Sequence, residues 1–369
     1  MLQLFKKIQK NLIPVEELIT SLPNERGIRL YELQWISTLV KEFKPKTILE
    51  LGTMYGRTTI NLAKFSPEDC KIFTIDKNEV KTLHILKQYP FFSKIQFCKS
   101  NTLTFDFKKL PQIDFAFIDA NYTYKYVIKD TLNVLKILSP TGVIIWHDYK
   151  TTEKIQVKNV IDNLGLKVYQ IPKTSLAIRS VLLFNEYWKL RYHKLGVFKT
   201  VGNRSWNFEE YKQKTLQIQS QIAPFLERGE KVLDFGCGIG RFKPLLTKFY
   251  KHYYGADIIK QINSNFVQIN GSVIPLSEKV DGIFTAFTLQ HIVDEYLLRE
   301  YFKQFNSLLK DNGYLYIYEE IGKGEISNHY GYDYLKLRNK IDYIKLCKYI
   351  GTIEVCKQFN QYLFLKVKK

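Results

Sequence analysis

The chain has 369 residues, of which 45% are hydrophobic and 15% are aromatic, and this length favours two folded domains over one. It contains no apolar run long enough to cross a bilayer. Its five cysteines form no CxxC pair, which argues against a zinc site or a disulfide framework and predicts a reducing, cytoplasmic location. The net charge of +19 is spread along the chain, so it indicates a biased composition more than a nucleic-acid surface.

The N-terminal segment predicts a short amphipathic helix. Leu2, Phe5, Ile8 and Leu12 fall on one stripe of a helix with 3.6 residues per turn. The segment is too charged and too interrupted for a secretory signal. A basic helix lying on a membrane surface is the alternative interpretation.

From residue 44 the chain alternates predicted strands and helices. The predicted elements of this first half are the strand ending at Glu50, a glycine loop and a helix, the strand KIFTID, the fourth strand IDFAFIDA, a helix over 126–138, the turn SPTG, the strand VIIWHD, a further helix, and the closing strands LKVYQIP and SLAIRSVLLF. Such alternation is typical of a parallel sheet covered by helices.

The second half repeats this order. Its predicted elements are the strand and loop EKVLDFGCGIGRF, the strands HYYGADI and VDGIFTAF, the helix REYFKQFNSLLK, the strand DNGYLYIYEE, a helix over 334–350, and the closing strands GTIEVCKQF and QYLFLKVKK. The repeat predicts two α/β domains, 1–184 and 185–369. The aromatic and basic segment 185–225 is expected to contain helices and to pack over the site of the second domain.

Each half carries a glycine-rich loop directly after an acidic strand end. The first loop has Gly52 and Gly56 after Glu50, and the second has Gly236, Gly238 and Gly240 after Asp234. Glycine lets a ligand approach the backbone closely, and the following helix N-terminus exposes unpaired N–H groups. Asp76 and Asp257 follow about 20 to 26 positions later at the ends of the next strands, where a carboxylate can accept both hydroxyls of a ribose.

These loops and carboxylates resemble those of the class I S-adenosylmethionine-dependent methyltransferases, in two copies that cover nearly the whole chain. The resemblance implies two Rossmann-like domains, each with a mostly parallel seven-stranded sheet, an antiparallel edge strand and helices on both faces. It implies S-adenosylmethionine as the cofactor. The residues expected to bind it are Glu50, Gly52, Thr53, Gly56, Asp76 and Asn101 in the first unit, and Asp234, Gly236, Cys237, Gly238, Gly240, Asp257 and Ser272 in the second.

Both units depart from the family after the third strand, where an aspartate often contacts the adenine. Asn101 stands near that place in the first unit and Ser272 in the second. Cys237 is interpreted as a small packing residue of its loop rather than as a nucleophile.

The first unit also resembles the branch of sugar and catechol O-methyltransferases. Asp119 ends the fourth strand, and His147 and Asp148 end the fifth, so two carboxylates could hold a magnesium ion that orients a substrate hydroxyl. Alternatively, Asp119 orders its own loop. Family members commonly read D-G-x-H-x-Y, whereas this chain has Tyr122 in place of the histidine. If that histidine is the base, either His147 or Tyr122 takes its role here, or the first unit is impaired.

The second unit has a Gln-His pair after its fourth strand. His291 is the candidate base there, because an unperturbed histidine titrates near pH ~6.5; the alternative is that it caps the next helix. Glu319 and Glu320 could reach the pocket rim or face the solvent. No second carboxylate pair for a metal is evident.

These observations predict methyl transfer to hydroxyl groups of a small molecule or a glycan. One alternative is a methyltransferase acting on RNA or another nucleic acid, with Trp188, Arg191, Arg204 and Trp206 as contact residues. Another is a single active unit joined to a degenerate scaffold unit. The pattern does not specify the acceptor or the oligomeric state.

Overall fold

The computed structural model describes residues 2–23, 27–201, 207–260, 265–323 and 335–369. The chain divides into two compact units, Met1–Leu183 and Phe184–Lys369. Among the helices that the structure describes, none combines the length and the apolar character that a membrane crossing requires.

The first unit is built on a seven-stranded sheet. The strands are β1 (Thr47–Leu51), β2 (Lys71–Asp76), β3 (Ile95–Lys99), β4 (Ile113–Ile118), β5 (Leu138–Trp146), β6 (Tyr169–Gln170) and β7 (Ala177–Ser180). Their order is β3-β2-β1-β4-β5-β7-β6. The strands β1 to β5 pair in parallel, and β7 pairs antiparallel with both β5 and β6.

Helices cover this sheet. They are α1 (Leu2–Lys10), α2 (Leu30–Phe43), α3 (Arg57–Phe65), α4 (Leu83–Leu86), α5 (Tyr124–Ile137) and α6 (Val157–Leu164). The central strands are apolar along their length because helices pack on them, and Ile48, Phe115 and Ile145 are fully buried in one core cluster.

The amphipathic N-terminal helix packs on this core. Phe5 and Ile8 of α1 are buried, and the Phe5 ring lies 6.1 Å from that of Trp35 in α2. Phe5 and Ile8 are therefore turned into the protein and are not available to a membrane surface.

The second unit repeats the sheet. Its strands are β8 (Gly229–Phe235), β9 (Tyr250–Asp257), β10 (Phe266–Gln268), β11 (Val280–Ala286), β12 (Leu309–Glu320), β13 (Thr352–Phe359) and β14 (Tyr362–Lys368). Their order, β10-β9-β8-β11-β12-β14-β13, matches that of the first sheet position by position. The strand β14 pairs antiparallel with β12 and β13, and the other pairs are parallel.

The helices that accompany the second sheet include two from the leading segment. They are α7 (Val181–Val201), α8 (Phe208–Ile222), α9 (Lys243–Leu246), α10 (Glu295–Leu308) and α11 (Lys340–Cys347). Asn207 caps α8, because its side chain accepts a hydrogen bond from the Glu210 backbone N–H while the Glu210 carboxylate accepts one from the Asn207 backbone N–H.

The fold predicted from the sequence is confirmed, with three local corrections. The stretch SPTG is not a free turn, because β5 runs through it with a bulge between the pairs Ile113–Leu138 and Phe115–Val143. The last predicted strand of the first half ends at Ser180, and Val181 begins α7. The last predicted helix begins at Lys340, where Asn339 accepts a hydrogen bond from the Asp342 backbone; Tyr334 lies outside the described residues.

Candidate functional site: two glycine loops and two strand-end clusters

In the first unit, the acidic residue of β1 is fully buried. Glu50 Oε2 accepts hydrogen bonds from Thr59 at 2.5 Å and Thr74 at 2.6 Å, whereas Oε1 is buried without a partner. Burial raises the pKa of Glu50 to about 8. The carboxyl group is therefore largely protonated at neutral pH, and its free oxygen can bind a polar group of a ligand.

The loop after Glu50 is tied to Asp76. Asp76 Oδ2 accepts hydrogen bonds from the backbone N–H groups of Thr53 (3.1 Å) and Met54 (3.0 Å), and Oδ1 accepts one from Asn78. Gly52 has φ +100°, and a Cβ atom there would lie 2.5 Å from the carbonyl oxygen of Asp119. Glycine is therefore required for the loop to pass the end of β4. Gly56 immediately precedes α3.

The second unit repeats this arrangement. Asp257 accepts hydrogen bonds from the backbone N–H groups of Gly238 (2.9 Å) and Ile259 (3.0 Å). Asp234 accepts one from the Tyr253 hydroxyl at 2.7 Å. Burial raises the pKa of Asp234 to about 7 and also raises that of Asp257. Both units therefore couple the carboxylate of the second strand to the glycine loop of the first strand.

The loop of the second unit approaches the chain after β11. A Cβ atom on Gly236, which has φ +73°, would lie 2.2 Å from the Thr288 side chain. Gly240 also has a positive φ of +79°, but its nearest neighbour would be 3.7 Å away. Cys237 is buried, and burial raises the pKa of its thiol. It is therefore not a thiolate at neutral pH, in keeping with a packing residue.

A cleft of about 550 Å³ opens beside this loop within the second unit. Asp234, Asp257 and the loop 236–239 line one side of it. Aromatic side chains line much of the remainder: Phe184, Trp188 and Tyr192 from the leading segment, and Phe242, Phe287, Tyr301, Tyr318, Phe359 and Tyr362 from the rest of the unit. The cleft thus combines a polar wall with a large aromatic wall, as small-molecule sites commonly do.

The two residues expected near an adenine differ in their surroundings. Asn101 donates from its amide to the Tyr126 hydroxyl at 3.3 Å and accepts from the Leu103 backbone. Ser272 uses its backbone oxygen to accept from Gln304. In the second unit Ile269, directly after β10, lines the cleft, whereas Ser272 is not among the described residues of its wall.

The predicted strand-end cluster of the first unit is assembled. His147 Nδ1 lies 3.2 Å from Asp119 Oδ1 and 3.6 Å from Asp148 Oδ2, and the three side chains can place ligand atoms within 4.8 Å of one another. Asp148 has φ +52°, a strained conformation for a residue other than glycine that recurs at functional sites. Tyr122, at the place of the family's histidine, is 45% exposed.

A fourth residue completes this cluster. Glu32 of α2 is buried and lies 3.3 Å from His147 Nε2, while its other oxygen accepts from the backbone and hydroxyl of Ser175 at 2.7 and 2.8 Å. Burial opposes ionisation of Glu32, but the contacts with His147 and Ser175 outweigh it and lower its pKa to about 2.

The carboxylates around His147 keep its ring charged. Burial disfavours the imidazolium, but contacts with Asp119, Asp148 and Glu32 outweigh it and raise the pKa of His147 to about 12. Burial raises the pKa of Asp119, whereas the contact with His147 lowers that of Asp148. A charged imidazolium has no free lone pair, so His147 in this arrangement does not accept a proton from a substrate.

The second unit has different side chains at the positions equivalent to Asp119, His147 and Asp148. The strand registers show which positions correspond. In the first sheet Leu51 pairs with Ile118, which pairs with Trp146. In the second sheet Phe235 pairs with Thr285, which pairs with Ile317. One position further along, Asp119, His147 and Asp148 therefore correspond to Ala286, Tyr318 and Glu319. The second unit accordingly has only one carboxylate of the three positions.

Glu319 serves as an anchor for the loop that carries His291. It is fully buried and accepts hydrogen bonds from the backbone N–H groups of Thr288, Leu289 and Gln290. Burial raises the pKa of Glu319 to about 7, although these amides oppose the shift. Glu319 thus does not reach the rim, whereas Glu320 lines the cleft.

His291 lines the cleft next to Trp188. The two rings lie 4.9 Å apart in an edge-to-face contact, and Gln290 Nε2 is 3.5 Å from His291 Nε2. Trp188 and Arg191 are both buried, so they are not exposed for stacking on nucleic-acid bases. Arg204 and Trp206 lie outside the described residues.

Two sheets with this strand order, each with a glycine loop and a strand-end carboxylate at the carboxyl edge, define the class I methyltransferase type of fold. Two family profiles match the chain, each described as a methyltransferase domain, over residues 49–149 and 204–333. Both halves of the chain are therefore methyltransferase domains, arranged in tandem.

Curated relatives are similar to part of the chain. It is 30% identical over 126 residues to the tapetum-specific methyltransferase 1 of Arabidopsis thaliana, covering 31% of this chain and 52% of that protein. It is 28% identical over 166 residues to a caffeoyl-CoA O-methyltransferase of Populus kitakamiensis, covering 42% of this chain and 66% of that protein. The matches thus span about half to two thirds of these relatives.

Solved structures include an O-methyltransferase of Bacillus cereus in complex with SAH. The likeness covers 48% of this chain and 95% of that chain, with 17% sequence identity and a TM-score of 0.38.

Sequence reasoning missed Glu32 and Arg241. No local pattern marks Glu32, because its partners His147 and Ser175 are more than a hundred positions away. Arg241 had a signal: it follows Asp234 by seven positions, as Arg57 follows Glu50, so the glycine loops end in a Gly-Arg pair in both units.

Proposed function

We propose that the chain transfers methyl groups from S-adenosylmethionine to hydroxyl groups of a small molecule or a glycan, using one or both units. The observation that carries the proposal is the repeated coupling of the strand-end carboxylate to the glycine loop. Asp76 accepts from Thr53 and Met54, and Asp257 accepts from Gly238. The family profiles and the curated relatives support the same reaction class.

The residues of both units fit the proposed cofactor. We assign the ribose hydroxyls to Asp76 and Asp257, which end the second strands of the two sheets. An ammonium group beside Glu50 would favour the ionised carboxylate, whose buried Oε1 would then accept from the ammonium of the methionine part. When bound, S-adenosylmethionine supplies a methyl group on a sulfonium, and the sulfur leaves as a neutral thioether, so the protein needs no acid for the leaving group.

The protein's remaining work is to align the acceptor and to remove its proton. In the second unit, we assign proton removal to His291, which lines the cleft beside Trp188. The aromatic wall would align a planar or sugar-like acceptor and exclude water.

In the first unit, we assign orientation of the hydroxyl to Asp119 and Asp148. Their carboxylates, within reach of one another, suit a magnesium ion, which commonly binds one or two protein carboxylates and keeps several waters. Asp119 and Asp148 would hold the ion, which would polarise a substrate hydroxyl, while Glu32 contacts His147 at Nε2.

Calorimetry with S-adenosylhomocysteine tests the cofactor assignment on the full chain. The expected result is two sites. Asp76→Ala should weaken binding at the first site and Asp257→Ala at the second. In each case the affinity for S-adenosylhomocysteine should fall about tenfold or more, the scale of hydrogen bonds to a charged group. Absence of binding to the unaltered chain would refute the proposal, and loss of turnover in only one variant would identify the other unit as a scaffold.

Magnesium is tested separately by titrating the ion into the full chain with and without Asp119→Asn. We expect heat of binding that the substitution abolishes, and methyl transfer by the first unit that a chelator stops. Transfer that persists in the chelator would leave Asp119 and Asp148 without a metal role.

The hydroxyl acceptor itself is tested by an untargeted search for methylated products.

A further inference from the structure

Arg241 has an unfilled hydrogen-bond donor at the cleft of the second unit. It lines the cleft, and its Nε donates to the Thr215 hydroxyl at 2.8 Å. Its guanidinium carbon lies 4.9 Å from the ring of Tyr211, 5.4 Å from that of Phe242 and 5.3 Å from that of Phe287. Nη2 is buried without a hydrogen-bond partner. A buried charged donor left unpaired is costly, so a ligand that fills it gains affinity.

No carboxylate in the described part of the chain neutralises this arginine. Asp234, Asp257 and Glu320 line the same cleft, yet among the described residues none of them forms an ion pair or a hydrogen bond with Arg241. A planar guanidinium matches a carboxylate better than any other biological anion except phosphate, because two parallel N–H groups can bind its two oxygens. The aromatic neighbours hold the guanidinium in one orientation.

The position of Arg241 separates it from the ribose site. Its ring contacts include Phe287, directly after β11, and Tyr318 of β12 and Tyr362 of β14 line the same cleft. Asp257, in contrast, ends β9 on the other side of β8. The guanidinium therefore lies on the half of the sheet where the amino-acid end of the cofactor and the acceptor are expected.

We propose that Arg241 is the carboxylate-recognition residue of the second unit's cleft. This inference rests on the proposed function, since it assumes that the cleft binds a cofactor and an acceptor. The carboxylate has two sources: the α-carboxylate of the cofactor or a carboxylate on an aromatic acceptor. Arg57 stands at the same place in the first loop, buried and with its Nε unpartnered. Because the units share a cofactor fold and differ at the acceptor end, the cofactor's carboxylate is tested first.

The first arm compares two probes on the full chain carrying Asp76→Ala, so that binding reports the second cleft. S-adenosylhomocysteine has an α-carboxylate, and 5′-methylthioadenosine has the same nucleoside and thioether without the amino acid. If Arg241 binds the cofactor, Arg241→Gln weakens the first probe about tenfold or more and leaves the second unchanged. Arg241→Lys should restore part of the loss, and Lys212→Gln, an exposed cation on α8, should change neither affinity.

The second arm titrates 4-hydroxybenzoate and its neutral analogue 4-hydroxybenzamide into the chain saturated with S-adenosylhomocysteine. If the acceptor supplies the carboxylate, Arg241→Gln weakens only the benzoate. The inference is overturned if Arg241→Gln binds all four probes as its parent does, or if it weakens charged and neutral probes equally, which would indicate a purely structural role. If the parent binds neither nucleoside, the proposed function fails instead. Should Arg241→Gln not fold, the same comparisons are made with Arg241→Lys.

Discussion

The two units are alike where a nucleoside is expected and differ where an acceptor is expected. At the ends of the first two strands, both have a buried acid, a glycine loop and a carboxylate bound to loop amides. At the ends of the fourth and fifth strands, the first unit has Asp119, His147 and Asp148, and the second has Ala286, Tyr318 and Glu319. The two sheets thus share one site at the ends of their first two strands and differ in the side chains at the ends of their fourth and fifth strands.

The comparison also separates two uses of a strand-end carboxylate. Asp148 is partly exposed and pairs with His147, whereas Glu319 is fully buried and binds three backbone amides. Asp148 therefore remains available for a substrate or an ion, whereas the oxygens of Glu319 already accept hydrogen bonds from the loop that carries His291. Equivalent positions in the two sheets do not imply equivalent roles.

Glu319→Ala is expected to have the largest effect on stability. It leaves three backbone amides, two of them in buried hydrogen bonds, without their acceptor, which should lower the free energy of unfolding of the second unit by about 3–5 kcal/mol. Asp148→Ala in the first unit should cost clearly less, because that carboxylate is partly exposed. Urea unfolding of the full chain measures both, with Glu320→Gln as the neighbouring control. Equal costs for the two alanine variants would contradict the distinction between anchor and free carboxylate.

Glu32→Gln tests the buried ion pair between Glu32 and His147 in the first unit. A carboxyl group whose pKa is about 2 when folded, against an ordinary value near 4.5, contributes stability that is present above pH ~5 and is lost as the pH falls towards 2. We expect the variant to lose ~2–3 kcal/mol at pH 7.

Urea unfolding at several pH values shows whether this cost shrinks on acidification, as the sign of the shift requires. Glu42→Gln, on the exposed part of the same helix, should be indistinguishable from the unaltered chain. A cost that stays constant from pH 7 to pH 3 would assign it to packing rather than to the charge on Glu32.

Gly236→Ala and Gly240→Ala compare two glycines with similar backbone strain. Both have a positive φ, for which alanine costs about 1 kcal/mol. Only at Gly236 would the new Cβ meet a neighbour, the Thr288 side chain at 2.2 Å. Gly236→Ala should therefore cost ~1 kcal/mol more and should weaken binding of S-adenosylhomocysteine to the second unit. Thermal unfolding and calorimetry measure the two effects, and equal behaviour of the variants would rule out the close approach.

Tyr253→Phe and Thr74→Val are expected to have the smallest effects. Each substitution removes one hydroxyl that donates a hydrogen bond to the buried acid of a unit's first strand. Each should lower the free energy of unfolding by about 1 kcal/mol. Asp234 loses the one hydroxyl that donates to it among the described residues, whereas Glu50 keeps Thr59. The pKa of Asp234 should therefore rise further above 7 than that of Glu50 rises above 8. Carboxyl titration by NMR would detect the difference, and an equal or reversed order would contradict it.

Much of the fold could be predicted because its signals are local. The apolar strands ending in Glu50 and Asp234, the glycines after them and the carboxylates at Asp76 and Asp257 all lie within short stretches of sequence. Parallel strands bring their carboxyl ends to one edge, so the meeting of Asp119 with His147 and Asp148 also followed from the strand order. The predicted turn at SPTG was wrong, because β5 runs through this stretch and pairs with β4. The predicted strand beyond Ser180 was also wrong, because α7 begins at Val181.

The sequence by itself determined two α/β units, their glycine loops and the acids that flank them, because these depend on periodicity and on the backbone freedom of particular residues. Only the tertiary structure decided that Glu32 reaches His147 from a helix 115 positions away, that Glu319 is an anchor, and that Arg241 is held among aromatic rings at the cleft. Such contacts join side chains whose separation in the sequence carries no pattern, and they form only when the strands and helices pack.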